Sequence, residues 1–190
     1  MSAKAVEYGD FLKGLLSDPK AVSSPTPSSP ALARAIAEEI GTIGQGIVLE
    51  LGPGTGVVTQ ALLDRGVPRN RLVTVECEPS FVQIMLKNFP GVSVHHGDAF
   101  EFEKFIPSNI SVAAVVSGIP LLNFPIEKRR SLVRRALSQP NNRRFIQLSY
   151  GWNPPVLAGG NTTVKRKTVW RNLPPAHVWT YESEVSSIRD

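Results

Sequence analysis

The chain predicts a doubly wound α/β sheet that ends in a C-terminal antiparallel β-hairpin and is preceded by N-terminal helices. Three observations carry this. Short apolar runs alternate with helix-length segments from Ile47 to Ser149. The first run, Ile47-Val48-Leu49-Glu50-Leu51, opens into Gly52-Pro53-Gly54-Thr55-Gly56, and a second run ends at an acid, Glu76, 20 residues after Gly56. That order of strand, Gly-rich turn, helix and strand is a Rossmann-like unit. The tail carries two β-branched segments, Thr162 to Trp170 and His177 to Tyr181, separated by Pro174-Pro175, which reads as a hairpin.

The elements follow in order. From Val6 to Leu16, Tyr8, Phe11, Leu12, Leu15 and Leu16 fall on one helical stripe; the stripe suits either a cap on the core or a helix lying on lipid. Ser23 to Pro30 holds three prolines and four serines, which precludes a regular element. It ends as a helix-start device, with Ser29 as N-cap and Pro30 as first helical residue before Ala31 to Ile40. Strands are expected at Ile47–Leu51 and Arg71–Val75, then a helix from about Ser80 to Asn88 and a strand Ser93 to His95, with His96 in the turn before Gly97-Asp98-Ala99. Val112–Val116 is a core strand running into Ser117-Gly118-Ile119-Pro120; a basic helix from about Ile126 to Ser138 precedes the strand Arg144–Ser149.

Composition narrows the class. The 190 residues, 42% hydrophobic and 19% charged, suit one folded domain over 1–190, with 1–22 as an amphipathic region that either caps the core or interacts with a membrane. The single cysteine, Cys77, excludes an intrachain disulfide and fits a reducing, cytoplasmic setting. No secretory leader is expected, and no apolar run approaches the ~18 residues that span a bilayer, so any membrane contact is peripheral. The net charge of +5 suits a polyanionic partner, nucleic acid or an anionic lipid face, and equally a merely basic solvated surface.

The cofactor follows from the carboxylates. The third glycine, Gly56, arrives one position earlier than in a dinucleotide fingerprint, and Glu50 before the turn would repel a pyrophosphate. S-adenosyl-L-methionine carries an ammonium, a sulfonium and a ribose but no phosphate. The run Glu50-Leu51-Gly52-Pro53-Gly54-Thr55-Gly56 resembles motif I of the class I methyltransferases. In a doubly wound sheet the ligand crosses the carboxyl ends of the strands. The candidate cofactor residues are therefore Ser29, Glu50, Gly52, Gly54, Thr55, Gly56, Glu76, Cys77, Gly97, Asp98, Ala99 and Ser117. Glu76 is assigned to the ribose with Glu78 as a competitor, Asp98 to the adenine amino group or to a plain turn, and Ala99 and Phe100 to the adenine ring. Cys77 reads as a small packed side chain and not a nucleophile. His95 and His96 lack partners at metal-ligand spacing, so no metal is expected. Ser117, Ile119 and Tyr150 are the candidates beside the reacting methyl.

Over most of its length the chain also resembles the bacterial phospholipid N-methyltransferases. The resemblance lies in Phe11-Leu12, Ser-Ser-Pro-Ala-Leu-Ala-Arg-Ala-Ile, Ser117-Gly118-Ile119-Pro120-Leu121-Leu122, Gln147-Leu148-Ser149-Tyr150-Gly151 and Trp170-Arg171-Asn172-Leu173-Pro174-Pro175-Ala176. It implies S-adenosylmethionine-dependent methylation of phosphatidylethanolamine toward phosphatidylcholine at a membrane surface. Tyr8, Phe11, Leu12 and Leu15 would then meet the bilayer, and Lys165, Arg166 and Lys167 the lipid phosphate. Lys128, Arg129, Arg130, Arg134, Arg135, Arg143 and Arg144 would form either a membrane-facing or a solvated helix face. The ribosomal RNA adenine dimethylases are the rival resemblance. Their acceptor motif resembles Asn-Leu/Ile-Pro-Tyr, whereas the run here has Ser117 and Leu121 and no stacking aromatic. An RNA adenine methyltransferase and a non-catalytic lipid-surface module are the two alternatives.

Overall fold

The computed structural model describes residues 29–106, 110–141, 144–172 and 174–183. The amphipathic segment 1–22, with Tyr8, Phe11, Leu12 and Leu15, lies outside them, as does Arg143. The described chain runs α1 (Pro30–Glu39), β1 (Ile47–Leu51), α2 (Val57–Asp64), β2 (Leu72–Glu76), α3 (Pro79–Asn88), β3 (Ser93–His96), β4 (Val112–Ser117), α4 (Ile126–Leu137), β5 (Arg144–Ser149), β6 (Thr162–Val169) and β7 (Ala176–Ser183). Short 3-10 turns at Arg69–Arg71, Ala99–Phe105 and Leu121–Asn123 join them.

Seven strands form one sheet in the order β3-β2-β1-β4-β5-β7-β6. The first five are parallel, β7 is antiparallel to β5, and β6 is antiparallel to β7. This is the predicted doubly wound sheet with its closing hairpin. Strand order reverses between β1 and β4, so their carboxyl ends flank the crevice where such sheets take ligands.

Both faces are covered, which explains why β1, β2 and most of β4 are buried along their length. Alternation still sorts the side chains. Val48, Leu72, Val116 and Ile146 pack under α1, α2 and α3, with Leu32, Ile36, Leu62 and Met85. Leu49, Leu51, Val75, Val115 and Phe145 pack on the opposite face with Phe102, Leu132, Val133 and Ala136. Each fully buried Leu or Phe is worth roughly 1.5–3 kcal/mol, so the site rests on a sheet fixed from both sides.

Local signals behave as expected at α1: Ser29 is the N-cap, its Oγ accepting the Leu32 N–H at 3.2 Å, and Pro30 follows it. Several boundaries differ by a residue or two; β2, for example, is Leu72–Glu76, with Arg71 in the preceding 3-10 turn. His96, expected in a turn, completes β3 because it pairs in register with Glu76. Ser117, expected in the following loop, is the last residue of β4 and pairs with Leu51 and Gln147. α3 starts at Pro79, because Glu78 caps it.

Candidate active site

The glycine loop is bound to the tip of β2. Glu76 Oε1 accepts the backbone N–H groups of Cys77 (2.8 Å) and Glu78 (3.0 Å), and Oε2 accepts the N–H of Gly54 at 3.0 Å. The acid is thereby aimed by backbone donors, while Oε2 keeps a lone pair for a further donor. Gly54 has φ +56° and nothing within 4 Å of where a Cβ would stand, so the loop presents bare backbone to open space. Gly56, at φ +87°, starts α2, and a side chain there would overlap the Phe89 ring. Gly52 belongs to the same loop, with its N–H on Val75 O at 2.9 Å, and Thr55 lies between the two later glycines.

Glu50 sits at the base of this loop, 1% exposed, with Thr59 Oγ1 of α2 donating to its Oε2 at 2.6 Å. Burial pushes its carboxyl up to about 7; the Thr59 hydrogen bond opposes this, and the charge of Glu76 adds to it. The acid is thus held near the point where a cationic ligand would decide its protonation.

The next two tips resolve several expectations. Glu78, the competitor for the ribose, caps α3 through Oε1, which accepts from Ser80 N (3.4 Å) and Ser80 Oγ (3.1 Å), while its buried Oε2 has no hydrogen-bond partner. The Cys77 thiol points at Glu76 Oε1 (3.5 Å), and burial together with that acid pushes its pKa far up, so it stays a packed thiol. Asp98 caps the turn after β3, its Oδ1 accepting Phe100 N at 2.8 Å. At Gly97 a side chain would overlap the Phe105 ring. Phe100, expected against adenine, packs edge-on against Phe124 (4.7 Å) with the Lys128 ammonium 3.9 Å over its face; Ala99 is buried in the same core.

The other side of the crevice is built by β4, β5 and the loops above them. The Gly118 N–H donates to Leu51 O at 2.8 Å, which sets the Ser117-Gly118-Ile119 run against the glycine loop. Ser117 and Ile119 are both buried. Ile119 offers its carbonyl, held by Gln147 Nε2 at 2.8 Å. Tyr150, just beyond β5, packs partly buried against the α1 face of the core. Arg129 clamps the rim: its guanidinium donates to Phe124 O (2.6 Å), Leu122 O (3.0 Å) and Pro155 O (3.3 Å), joining the loop after β4 to the loop after β5. Ser29 is drawn in from far away, its N–H donating to Asn172 Oδ1 at 3.2 Å.

The basic residues divide. Lys165 and Arg166 are neighbours in β6 and face opposite ways. Lys165 is paired with Glu182 at 2.7 Å, and Lys167 with Glu38 of α1 at 2.6 Å. The Arg166 guanidinium lies 5.7 and 5.6 Å from the indoles of Trp152 and Trp179, with Nη1 on Trp152 O at 3.2 Å. In α4 and β5, Arg135 pairs with Glu103, Arg130 with Glu127 and Arg144 with Glu182, which places these charges in the fold's own ion pairs.

Sequence reasoning did not single out Thr59, Gln147 or Asn172, and it named Arg129 only as one charge of a basic helix face. Gln147 and Asn172 lie inside motifs read as strings; Thr59 carries no local signal.

No protein-family model matches the chain. The ornithine lipid N-methyltransferase of Singulisphaera acidiphila is 33% identical over 129 residues, which cover 65% of this chain and 67% of that protein. The chain belongs to the class I S-adenosylmethionine-dependent methyltransferases. A probable ribosomal RNA small subunit methyltransferase A of Thermococcus onnurineus is 29% identical over 120 residues, 56% of this chain and 42% of that protein. A putative RNA methyltransferase from Pyrococcus horikoshii shares the fold, with a TM-score of 0.57 at 17% identity over 85% of this chain and 86% of that one. The methyltransferase's own residues suit the family's cofactor. Glu50, Glu76 and Asp98 at successive strand tips, with bare backbone at Gly54, fit a ligand of ribose hydroxyls, ammonium and sulfonium and oppose a pyrophosphate.

Proposed function

We propose that this methyltransferase methylates the terminal amine of a membrane lipid headgroup. Phosphatidylethanolamine is the substrate implied by the motif resemblance, and ornithine lipid is the one named for the relative. The observation that carries the reading is the 33% identity to an ornithine lipid N-methyltransferase across two thirds of both chains. The acceptor loop supports it. Where a flipped base would need an aromatic platform, Leu121 is buried, and the exposed groups near the rim include Leu122, Ile126, Trp152 and Trp170.

When bound, S-adenosylmethionine supplies an electrophilic methyl on a sulfonium. Glu76 would hold its ribose, Asp98 its adenine amino group and Glu50 the cationic end. Ser117, Tyr150 and the Ile119 carbonyl would orient the amine for in-line attack and accept its N–H. Docking on an anionic bilayer through Tyr8, Phe11, Leu12 and Leu15 completes the proposal. No helix among the described residues is long and apolar enough to cross a membrane.

RNA adenine methylation is the second reading, favoured by the ribosomal RNA methyltransferase relatives. Labelled cofactor offered with phosphatidylethanolamine vesicles, ornithine lipid vesicles and a short structured RNA separates them. Label in lipid is the expected result; label in RNA alone overturns the proposal.

A further inference from the structure

Among the described residues, five buried side-chain polar atoms have no hydrogen-bond partner, and three of them stand in one row. They are Ser117 Oγ, Gln147 Oε1 and Trp179 Nε1. The sheet register aligns Ser117 with Gln147, Gln147 with Trp179 and Trp179 with Arg166, so the row crosses β4, β5, β7 and β6 on one face. All three carriers are more than nine-tenths buried, at 1%, 0% and 5% exposure. A buried polar group without a partner costs about 1–3 kcal/mol, and three side by side are rare enough to need a reason.

The row has a chemical direction. At the β4–β5 end stand acceptors: Gln147 Oε1, Ser117 Oγ and, fixed by the other half of the same Gln147 amide, the Ile119 carbonyl. At the β7–β6 end stand donors: the Trp179 indole N–H, which can only donate, and then the permanent cation of Arg166. The acceptor end adjoins the glycine loop through the Gly118–Leu51 hydrogen bond. The donor end reaches the surface at Trp152, which is 62% exposed and lies over Arg166. Neighbouring strands are about 4.8 Å apart, so acceptors and donors are separated by about the span of a short aliphatic spacer.

We propose that this row is the headgroup subsite, and that it selects a zwitterion: an amine toward β4 and β5, and a phosphate or carboxylate against Trp179 Nε1 and Arg166. The inference rests on the lipid reading above and deepens it. The headgroup ammonium first gives one proton to water. The neutral amine then donates its two N–H bonds to Gln147 Oε1 and Ser117 Oγ, which leaves its lone pair directed to the methyl. The N–C bond forms as the S–C bond breaks and S-adenosylhomocysteine leaves. The anion takes the indole N–H and the guanidinium. An RNA adenine offers no anion so placed beside its amino group. Phosphoethanolamine and amino-acid headgroups share this chemistry, and the two differ in the anion that Arg166 meets.

The test uses the full chain with carrier vesicles of phosphatidylcholine containing phosphatidylethanolamine, ornithine lipid or stearylamine, the last an amine without an anion. Arg166→Gln and Trp179→Phe are compared with wild type, Trp179→Phe keeping the ring volume and removing the N–H. On the zwitterionic lipid that wild type prefers, KM rises by about tenfold more than on stearylamine, as expected for loss of a charged hydrogen bond. Equal losses on both lipids overturn the subsite while leaving the lipid reading intact. No methylation of any amine lipid by wild type overturns both. A second readout is independent of turnover: with S-adenosylhomocysteine present, O-phosphoethanolamine or ornithine shifts the Trp179 indole N–H resonance, and an unmoved resonance at saturating concentrations of both overturns the subsite.

Discussion

Ser29 and Asn172 meet across 143 positions of sequence: the Ser29 N–H donates to Asn172 Oδ1 at 3.2 Å, and the Asn172 Nδ2 is spent on Pro174 O at 2.7 Å. One buried amide thereby ties the cap of α1 to the turn between β6 and β7. The Ser-Ser-Pro-Ala and Trp-Arg-Asn-Leu-Pro-Pro segments are two ends of one joint. Asn172→Ala strands the Ser29 N–H and is expected to lower unfolding free energy by about 1–3 kcal/mol, measured by urea denaturation. An unchanged midpoint would show the joint to be incidental.

Glu76 is the acid on which three backbone N–H groups converge. Glu76→Ala releases the Gly54 N–H and removes the ribose acceptor together. Calorimetry with S-adenosylhomocysteine is expected to show affinity reduced by roughly 10–100-fold, the value of one to two charge-assisted hydrogen bonds. A dissociation constant equal to wild type would remove Glu76 from the site.

Glu50 makes stability pH-dependent. Its carboxyl is raised from 4.5 to about 7 by burial, so the folded state binds the proton more tightly than the unfolded chain. The resulting stability is fully present below the unfolded value and is lost as pH rises through about 7. The difference is on the order of 3 kcal/mol. Urea unfolding at a series of pH values should show stability falling across this window. Glu50→Gln should flatten the slope, and an equal slope in both proteins would place the titration elsewhere.

Gly56 combines a left-handed backbone with the Phe89 ring where a Cβ would go. Gly56→Ala is expected to cost about 2–4 kcal/mol from strain and overlap. Gly54→Ala meets no atom within 4 Å, so its stability loss should be smaller, while its Cβ intrudes on the face offered to the cofactor. Thermal melts paired with cofactor titration separate the two. Equal melting losses would contradict the packing difference.

Arg129 joins the loops after β4 and β5 through three carbonyls. Lysine keeps the charge but not the planar fork. Arg129→Lys should therefore lower kcat/KM for the lipid acceptor by roughly 10-fold while the affinity for S-adenosylhomocysteine stays within about twofold. A parallel loss of cofactor affinity would mean that the clamp supports the whole site and not its acceptor rim.

The sequence by itself determined the order of strands and helices, the glycine bend, the acid at the tip of β2 and the Ser29 cap. Each of these is a local pattern: period-two alternation, a required left-handed turn, or a hydroxyl three residues from the N–H it caps. The tertiary structure alone decided which of two close acids holds the glycine loop: Glu76 accepts the Gly54 N–H, and Glu78 caps α3. It alone gave Lys165 to Glu182 and Lys167 to Glu38. It alone brought Gln147 to the Ile119 carbonyl and Asn172 to Ser29. Those pairings depend on strand register and helix docking, which are set by the packing of the whole sheet and leave no trace in residue spacing.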